Sequence, residues 1–184
     1  MIYVLAGKSA AGKDSFFNYL LERKDLKPIV SYTSRPMREG ETEGKDYNFR
    51  SKERMLEKIS KKELLEYRSY ETSVNGIHDT WYYGSPKVNP KEDWIVVLDM
   101  EGLKSYREAY GPENITAIYL ACPEDIREER ARRRGSFDKT EWDRRAADDS
   151  IKFQNATEEC NISFDTYSQS FNEILRDLEM LKIM

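Results

Sequence analysis

Gly7-Lys8-Ser9-Ala10-Ala11-Gly12-Lys13 has the spacing G-x-x-x-x-G-K, a set of residues that can grip phosphate with main chain alone. Glycines let the chain curl so that successive N–H groups point inward at an anion. A helix starting at the loop's end adds the positive end of its dipole, and the Lys13 ammonium can reach the outer phosphates. The pattern is normally completed by a Ser or Thr whose hydroxyl binds Mg²⁺; here Asp14 stands there, with Ser15 one step later. A glycine-rich turn that binds nothing is the alternative. The flanks argue against it, because Ile2 to Ala6 is an apolar strand-forming run and Phe16, Phe17, Leu20 and Leu21 repeat at helical spacing, giving strand, loop and helix in the required order.

A second group of chemistry-bearing residues lies between Ser31 and Phe49. Arg35 and Arg38 are three apart among the hydroxyls of Ser31, Tyr32, Thr33 and Ser34, and guanidinium groups take phosphate oxygens two at a time. Further along, Glu66, Tyr82-Tyr83, Ser85 and Asp99 offer polar groups suited to a heterocyclic base. From spacing alone, a polar surface loop in a highly charged protein explains the same residues. The run Arg130, Arg132, Arg133, Arg134 reads as a solvated helix end or a basic patch; Glu124, Asp125, Glu128 and Glu129 beside it weigh against nucleic acid. His78, the one histidine, reads as solvent-exposed.

The elements that must position these groups follow from the apolar pattern. With 184 residues the chain suffices for one domain with a real core. A net charge of −4 argues against general affinity for nucleic acid or membranes. Two distant cysteines, Cys122 and Cys160, indicate neither a disulfide framework nor a metal site, and no leader or membrane-spanning run is visible, so a cytoplasmic location is expected. Strands are predicted at 2–6, from Ile29-Val30, at 64–70, 81–84, 94–98, 115–121 and near 161–164. Helices are predicted at 13–23, 52–60, 102–110, 124–133 (Pro123 at the first helical position), from an Asp138–Glu141 capping box to about 156, and at 168–182. Residues 72–80 read as a turn-rich loop. Strands alternating with helices imply an α/β fold with a mainly parallel sheet, helices on both faces and ligands at the carboxyl ends of its strands. The P-loop and Asp99 both lie at such ends.

The stretch S-x-x-S-R-P-x-R-x-G-E-x-x-G-x-D-Y-x-F, with L-L-E ahead of Y-Y-G-S, D-M-E-G, and R-x-x-x-R-G before a second arginine-bearing helix, resembles the guanylate kinases, from the P-loop to about Ala146. The resemblance implies a three-layer P-loop core (1–30, 87–123 and 151–184) carrying a small mixed β/α nucleoside-monophosphate insert (31–86) and a helical lid (124–150), all one compact structural unit. It implies transfer of a phosphoryl group from ATP to GMP or dGMP with Mg²⁺, on small-molecule nucleotides without nucleic acid or membrane, by a monomer or homodimer. Lys13, Arg35, Arg134 and Arg145 would be catalytic. Gly7, Ser9, Ala10, Ala11, Gly12, Lys13, Asp14, Ser15, Arg130 and Arg134 would hold ATP. Arg35, Arg38, Tyr47 and Tyr83 would hold the GMP phosphate, Glu41 would orient the arginines, and Glu66 would accept from guanine N1–H and the exocyclic amine, with Ser31, Ser85 and Asp99 completing base recognition.

Three features depart from the family pattern: Asp14, Val97 where the first acid of D-x-D is usual, and a 66–83 segment about eight residues longer than usual. The first two suggest that Asp14 takes over the metal; the competing reading is that its charge repels the phosphates. The third is either an extended hairpin around Asn75-Gly76 or a reshaping of the base pocket. The competing functions are a kinase for another nucleoside monophosphate or phosphorylated small molecule, and a non-catalytic module binding a phosphorylated ligand.

Overall fold

The computed structural model describes residues 1–74, 77–133 and 137–184, with no side-chain description at 73–77. The chain divides into two compact units: Met1–Lys27 with Lys91–Met184, and Pro28–Pro90.

The first unit is built on parallel strands β1 (Ile2–Ala6), β7 (Trp94–Val97), β8 (Ile115–Ala121) and β9 (Ile162–Asp165), in the order β7-β1-β8-β9. Leu5 is in register with Val97 on one side and Ile118 on the other. Every residue of β1 is buried, as its unbroken apolar run requires of a strand covered on both faces. Tyr3, Leu5, Ile95, Ile118, Leu120 and Phe164 pack with Phe16 and Leu20 of α1 (Lys13–Leu21) and Ile174, Leu175 and Leu178 of α7 (Phe171–Met180). Full burial of each such aliphatic contributes about 1.5–3 kcal/mol. Ile2, Val4 and Val96 alternate to the other face, where α3 (Met100–Tyr110) packs on β8 and buries Leu103 and Tyr106. Helices α4 (Glu124–Arg133), α5 (Lys139–Lys152) and the short α6 (Ala156–Glu159) complete this unit.

The second unit holds a four-stranded sheet in the order β4 (Asn48–Phe49), β3 (Tyr32–Thr33), β6 (Ile77–Pro86), β5 (Leu64–Val74), with α2 (Lys52–Ser60) capped by Ser51. Gly84 is required where β6 crosses the bulge in β5: a Cβ there would lie 2.6 Å from Leu64 Cδ1 and 2.9 Å from the Glu66 carbonyl. The Lys27–Pro28 segment, β2, joins the first sheet beside β7.

Several expectations are corrected. Ile29-Val30 is not a strand; the pairing residues are Lys27–Pro28 and Tyr32–Thr33. The segment 72–80 is not a loop up to Val74 or from Ile77: Thr72 pairs with Asp79 and Glu71 with Thr80, so the hairpin is extended. Pro123 precedes α4 and offers its carbonyl to Arg127 N–H. Asp138 caps α5 by accepting from Glu141 N–H at 2.8 Å, but Glu141 turns to Arg144 and Arg145 instead of closing a box. α5 stops at Lys152, and the final helix starts at a reciprocal Ser170–Glu173 capping box that the sequence reading missed. Among the described residues no helix is long and apolar enough to cross a membrane.

Candidate active site

The glycine loop leaves the carboxyl end of β1 and runs into α1. Ala10 and Gly12 take left-handed conformations, φ 61° and 98°, which turn neighbouring N–H groups to one side. Gly7 has no alternative residue: a Cβ would lie 2.7 Å from the main-chain oxygen of Leu120. Lys13 Nζ donates to Gly7 O at 2.7 Å and Lys8 O at 3.0 Å, holding the ammonium against the loop's rim. Asp14 and Ser15 are exposed in the first turn of α1, and Asp14 makes no side-chain hydrogen bond or ion pair among the described residues.

Two buried groups brace the loop that the sequence reading did not single out. Arg127, 1 % exposed, donates from Nη1 to Ser9 O at 3.2 Å and from Nε to Cys122 O at 3.2 Å. Its Nη1 lies 3.7 Å from Asp149 Oδ2, and Asp149 accepts from Ser9 N–H at 2.6 Å. One loop N–H is thus aimed at a carboxylate of α5. The signal for Arg127 was its place one turn before Arg130 on the same helix. Asp149 gave none, because its partner is 140 residues away.

Of the three lid arginines, Arg134 lies outside the described residues. Arg130 is tied down: Nη2 donates to Thr166 O at 2.8 Å, and Nη1 to Thr166 Oγ1 at 3.2 Å and Ala11 O at 3.4 Å. Thr166 Oγ1 itself donates to Ala11 O at 2.7 Å. Arg145 Nε donates to Glu141 Oε1 at 2.7 Å. Burial pushes the Glu141 carboxyl up, and its bonds from Arg144 and Arg145 outweigh this, leaving it below the usual glutamate range.

In the second unit Arg35 is 4 % exposed and meets Glu41 fork to fork, Nη2 to Oε1 at 2.7 Å and Nη1 to Oε2 at 3.0 Å. Arg38 joins through its main chain, donating N–H to Glu41 Oε2 at 2.7 Å. Burial acts to raise the Glu41 carboxyl; the Arg35 fork and the Arg38 N–H more than offset it and hold the group below its ordinary value. The Arg35 guanidinium sits over Tyr47 and Phe49, and Tyr47 meets Tyr83 edge-on at 5.9 Å. Tyr83 and Ser85 share a face of β6, opposite Arg68 and Glu66 of β5. Ser85 Oγ donates to Glu66 Oε1 at 2.5 Å. Ser31, half-buried ahead of β3, gives its carbonyl to Asn48 N–H. The second unit therefore carries Ser31, Arg35, Arg38, Glu41, Tyr47, Glu66, Tyr83 and Ser85.

Asp99 belongs to the first unit. It caps α3, accepting from Gly102 N–H at 2.8 Å, and lies 4.0 Å from Lys152 Nζ. No group of three or more His, Cys, Asp or Glu among the described residues could hold a metal ion alone. Mg²⁺ does not need one, since it binds through one or two carboxylates with water and phosphate oxygens, a donor set that the exposed Asp14 fits.

The family model for guanylate kinase matches residues 1–182. A guanylate kinase of Clostridioides difficile is 33 % identical over 180 residues, covering 94 % of this chain and 80 % of that protein. The rice guanylate kinase 2, chloroplastic/mitochondrial, is 36 % identical over 132 residues, and that of Wolinella succinogenes 37 % over 153. These alignments cover 68 % and 78 % of this chain but only 44 % and 66 % of those two proteins. The crystal structure of guanylate kinase from Anaplasma phagocytophilum superposes with a TM-score of 0.69 at 25 % identity, covering all of this chain and 85 % of that one.

Proposed function

The chain belongs to the guanylate kinase family, and from that premise we propose that it transfers the terminal phosphoryl group of ATP to GMP or dGMP. The observation that carries the reading is that the second unit holds both a guanidinium fixed by Glu41 and a shielded carboxylate, Glu66, bonded by Ser85. Arg35 and Arg38, with Tyr47 and Tyr83, take the acceptor phosphate. Glu66 accepts from guanine N1–H and the exocyclic amine, and Ser31, Ser85 and Asp99 complete the base site. Adenine presents an acceptor at N1 and would leave the carboxylate desolvated and unmatched, a mismatch that discriminates by orders of magnitude.

The donor phosphates take the Gly7–Ser15 loop. Lys13 exchanges its two carbonyl partners for phosphate oxygens, Arg130 and Arg127 keep the loop's outer wall in shape, and Arg134 and Arg145 are the lid charges. An acceptor phosphate oxygen forms the new P–O bond as the bond to ADP breaks. That oxygen is already anionic, so no general base is required. Asp14 would hold Mg²⁺, which supplies charge neutralisation on the donor phosphates when bound. Transfer demands reacting atoms within about 3–3.5 Å, so a step that brings donor and acceptor phosphates together is part of the proposal. Two free thiols, with burial pushing Cys160 up to about 11, suit a reducing cytoplasm. The test is Lys13→Ala in a GMP-dependent ADP-release assay with ATP and Mg²⁺. A fall of 100-fold or more, about 3 kcal/mol of lost charge stabilisation, is expected; near wild-type turnover overturns the loop's assignment.

A further inference from the structure

We propose that Arg127 and Asp149 are positioning residues for the donor phosphates: through the two peptide groups of Ser9 they aim the Ala10 N–H and the Lys13 ammonium at ATP. The inference rests on the donor-loop reading above and deepens it.

Both main-chain polar groups of Ser9 go to buried side chains. Its N–H donates to Asp149 Oδ2 at 2.6 Å, and its carbonyl accepts from Arg127 Nη1 at 3.2 Å. That Nη1 and Oδ2 lie 3.7 Å apart, so the three groups close a ring on one side of the loop. A peptide group is planar, and in the trans form its C=O and N–H point to opposite sides; the loop has no cis bond. The Ser9 N–H directed at Asp149 therefore turns the Lys8 carbonyl the other way, where it accepts from Lys13 Nζ at 3.0 Å. The Ser9 carbonyl directed at Arg127 turns the Ala10 N–H to that same far side. Two residues on, Ala11 O accepts from Thr166 Oγ1 at 2.7 Å, which sends the Gly12 N–H away from Thr166.

Ala10 is the residue that needs this help. It stands at φ 61°, a left-handed conformation that an L side chain adopts at a cost and glycine adopts freely. A residue so placed keeps its conformation only where its surroundings over-determine it. The Arg127–Asp149 ring supplies that constraint, because it fixes the peptide group immediately before Ala10. Without the ring Ala10 relaxes to negative φ, and the loop loses an inward N–H and the carbonyl that steadies Lys13.

The test is the double variant Arg127→Met/Asp149→Asn, which leaves no lone buried charge, made with and without Ala10→Gly. Calorimetry measures Kd for ATP with Mg²⁺ in the absence of acceptor, and Kd for GMP alone. With Ala10 in place the double variant should raise the ATP Kd by roughly 5- to 30-fold, the cost of an unsupported left-handed alanine, and leave the GMP Kd where it was. Relative to Ala10→Gly alone, the same double change should raise the ATP Kd less than about threefold, because glycine takes positive φ without support. Should the double variant fail to fold, Arg127→Lys replaces it: a point charge without the guanidinium fork should give a smaller rise with the same dependence on residue 10. An ATP Kd unmoved by the change, or raised equally with alanine and with glycine at position 10, overturns the inference and leaves the donor loop in place. ATP and GMP weakened together would mark general support of the fold and overturn it as well. A wild type that binds no ATP overturns the donor-loop reading, and the inference with it.

Discussion

Glu41→Gln tests whether the acceptor arginine is fixed before any ligand arrives. Three donors converge on the Glu41 carboxylate: Arg35 Nη2 at 2.7 Å, Arg35 Nη1 at 3.0 Å and Arg38 N–H at 2.7 Å. A glutamine has one acceptor oxygen and turns an NH₂ toward a guanidinium, so at least one charge-assisted bond is lost, each about 1.5–3 kcal/mol. Removing one partner of a fully buried pair costs about 3–5 kcal/mol. Here the Arg35 side chain is 3 % exposed but that of Glu41 is 19 % exposed, and water reaching the carboxylate screens part of the interaction. About 2–4 kcal/mol of folding stability should disappear at pH 7, a drop of roughly 1–2 M in the urea midpoint for a domain of this kind.

The pH dependence supplies the refutation. The folded Glu41 carboxyl titrates below its ordinary value of 4.5. Its contribution is therefore whole above 4.5 and drains away as pH falls through the lower folded value. Glutamine has nothing to titrate, so urea unfolding of wild type and Glu41→Gln should show a gap that is constant from pH 7 to about 5 and narrows below 4.5. Other carboxylates titrate in both proteins and cancel in the difference. Equal stability at pH 7, or a gap unchanged at pH 4, would show that Glu41 does not hold Arg35 by charge.

Asp14→Ala should raise the Mg²⁺ concentration needed for half-maximal turnover several-fold, read from metal titrations at saturating nucleotides; higher activity at every Mg²⁺ concentration would instead mean that Asp14 repels the phosphates. Thr72 is 5 % exposed and its Oγ1 has no hydrogen-bond partner among the described residues, so Thr72→Val, isosteric and β-branched, should stabilise by about 1 kcal/mol in thermal or urea unfolding; destabilisation would mean the hydroxyl is satisfied. Cys160 is buried with its thiol pushed up to about 11, so iodoacetamide at pH 8 should modify the half-buried Cys122 first, and Cys160 only on unfolding, as peptide mass spectrometry would report.

The parallel core was legible because β1, β7 and β8 are apolar runs that only a doubly covered strand explains, and the loop after β1 because its glycines have backbone reasons that the Gly7–Leu120 approach makes concrete. The distal hairpin was not legible. Thr72, His78, Asp79 and Thr80 carry no apolar alternation, and their strands are defined by main-chain pairing. The two-residue strands Lys27–Pro28 and Tyr32–Thr33 are too short for any period. The Arg127–Asp149–Ser9 brace was hidden for another reason: its contacts to Ser9 span 118 and 140 residues, and nothing local marks an arginine that folding will bury among carbonyl and carboxylate oxygens.

These braces share a logic that bears on catalysis. Arg35 is set by Glu41, Arg145 by Glu141, and Arg127 by Asp149 and main-chain oxygens. Each guanidinium gives up rotamer freedom at folding, so less ordering is left for the moment of binding. An anion arriving at Arg35 meets a cation whose direction is already fixed, the condition under which electrostatic stabilisation of a transferring phosphoryl group needs little reorganisation. Lys13 is held differently, by two neutral carbonyls of its own loop. Exchanging those for phosphate oxygens replaces neutral acceptors with anionic ones, so the ammonium gains charge-assisted bonds when the donor arrives.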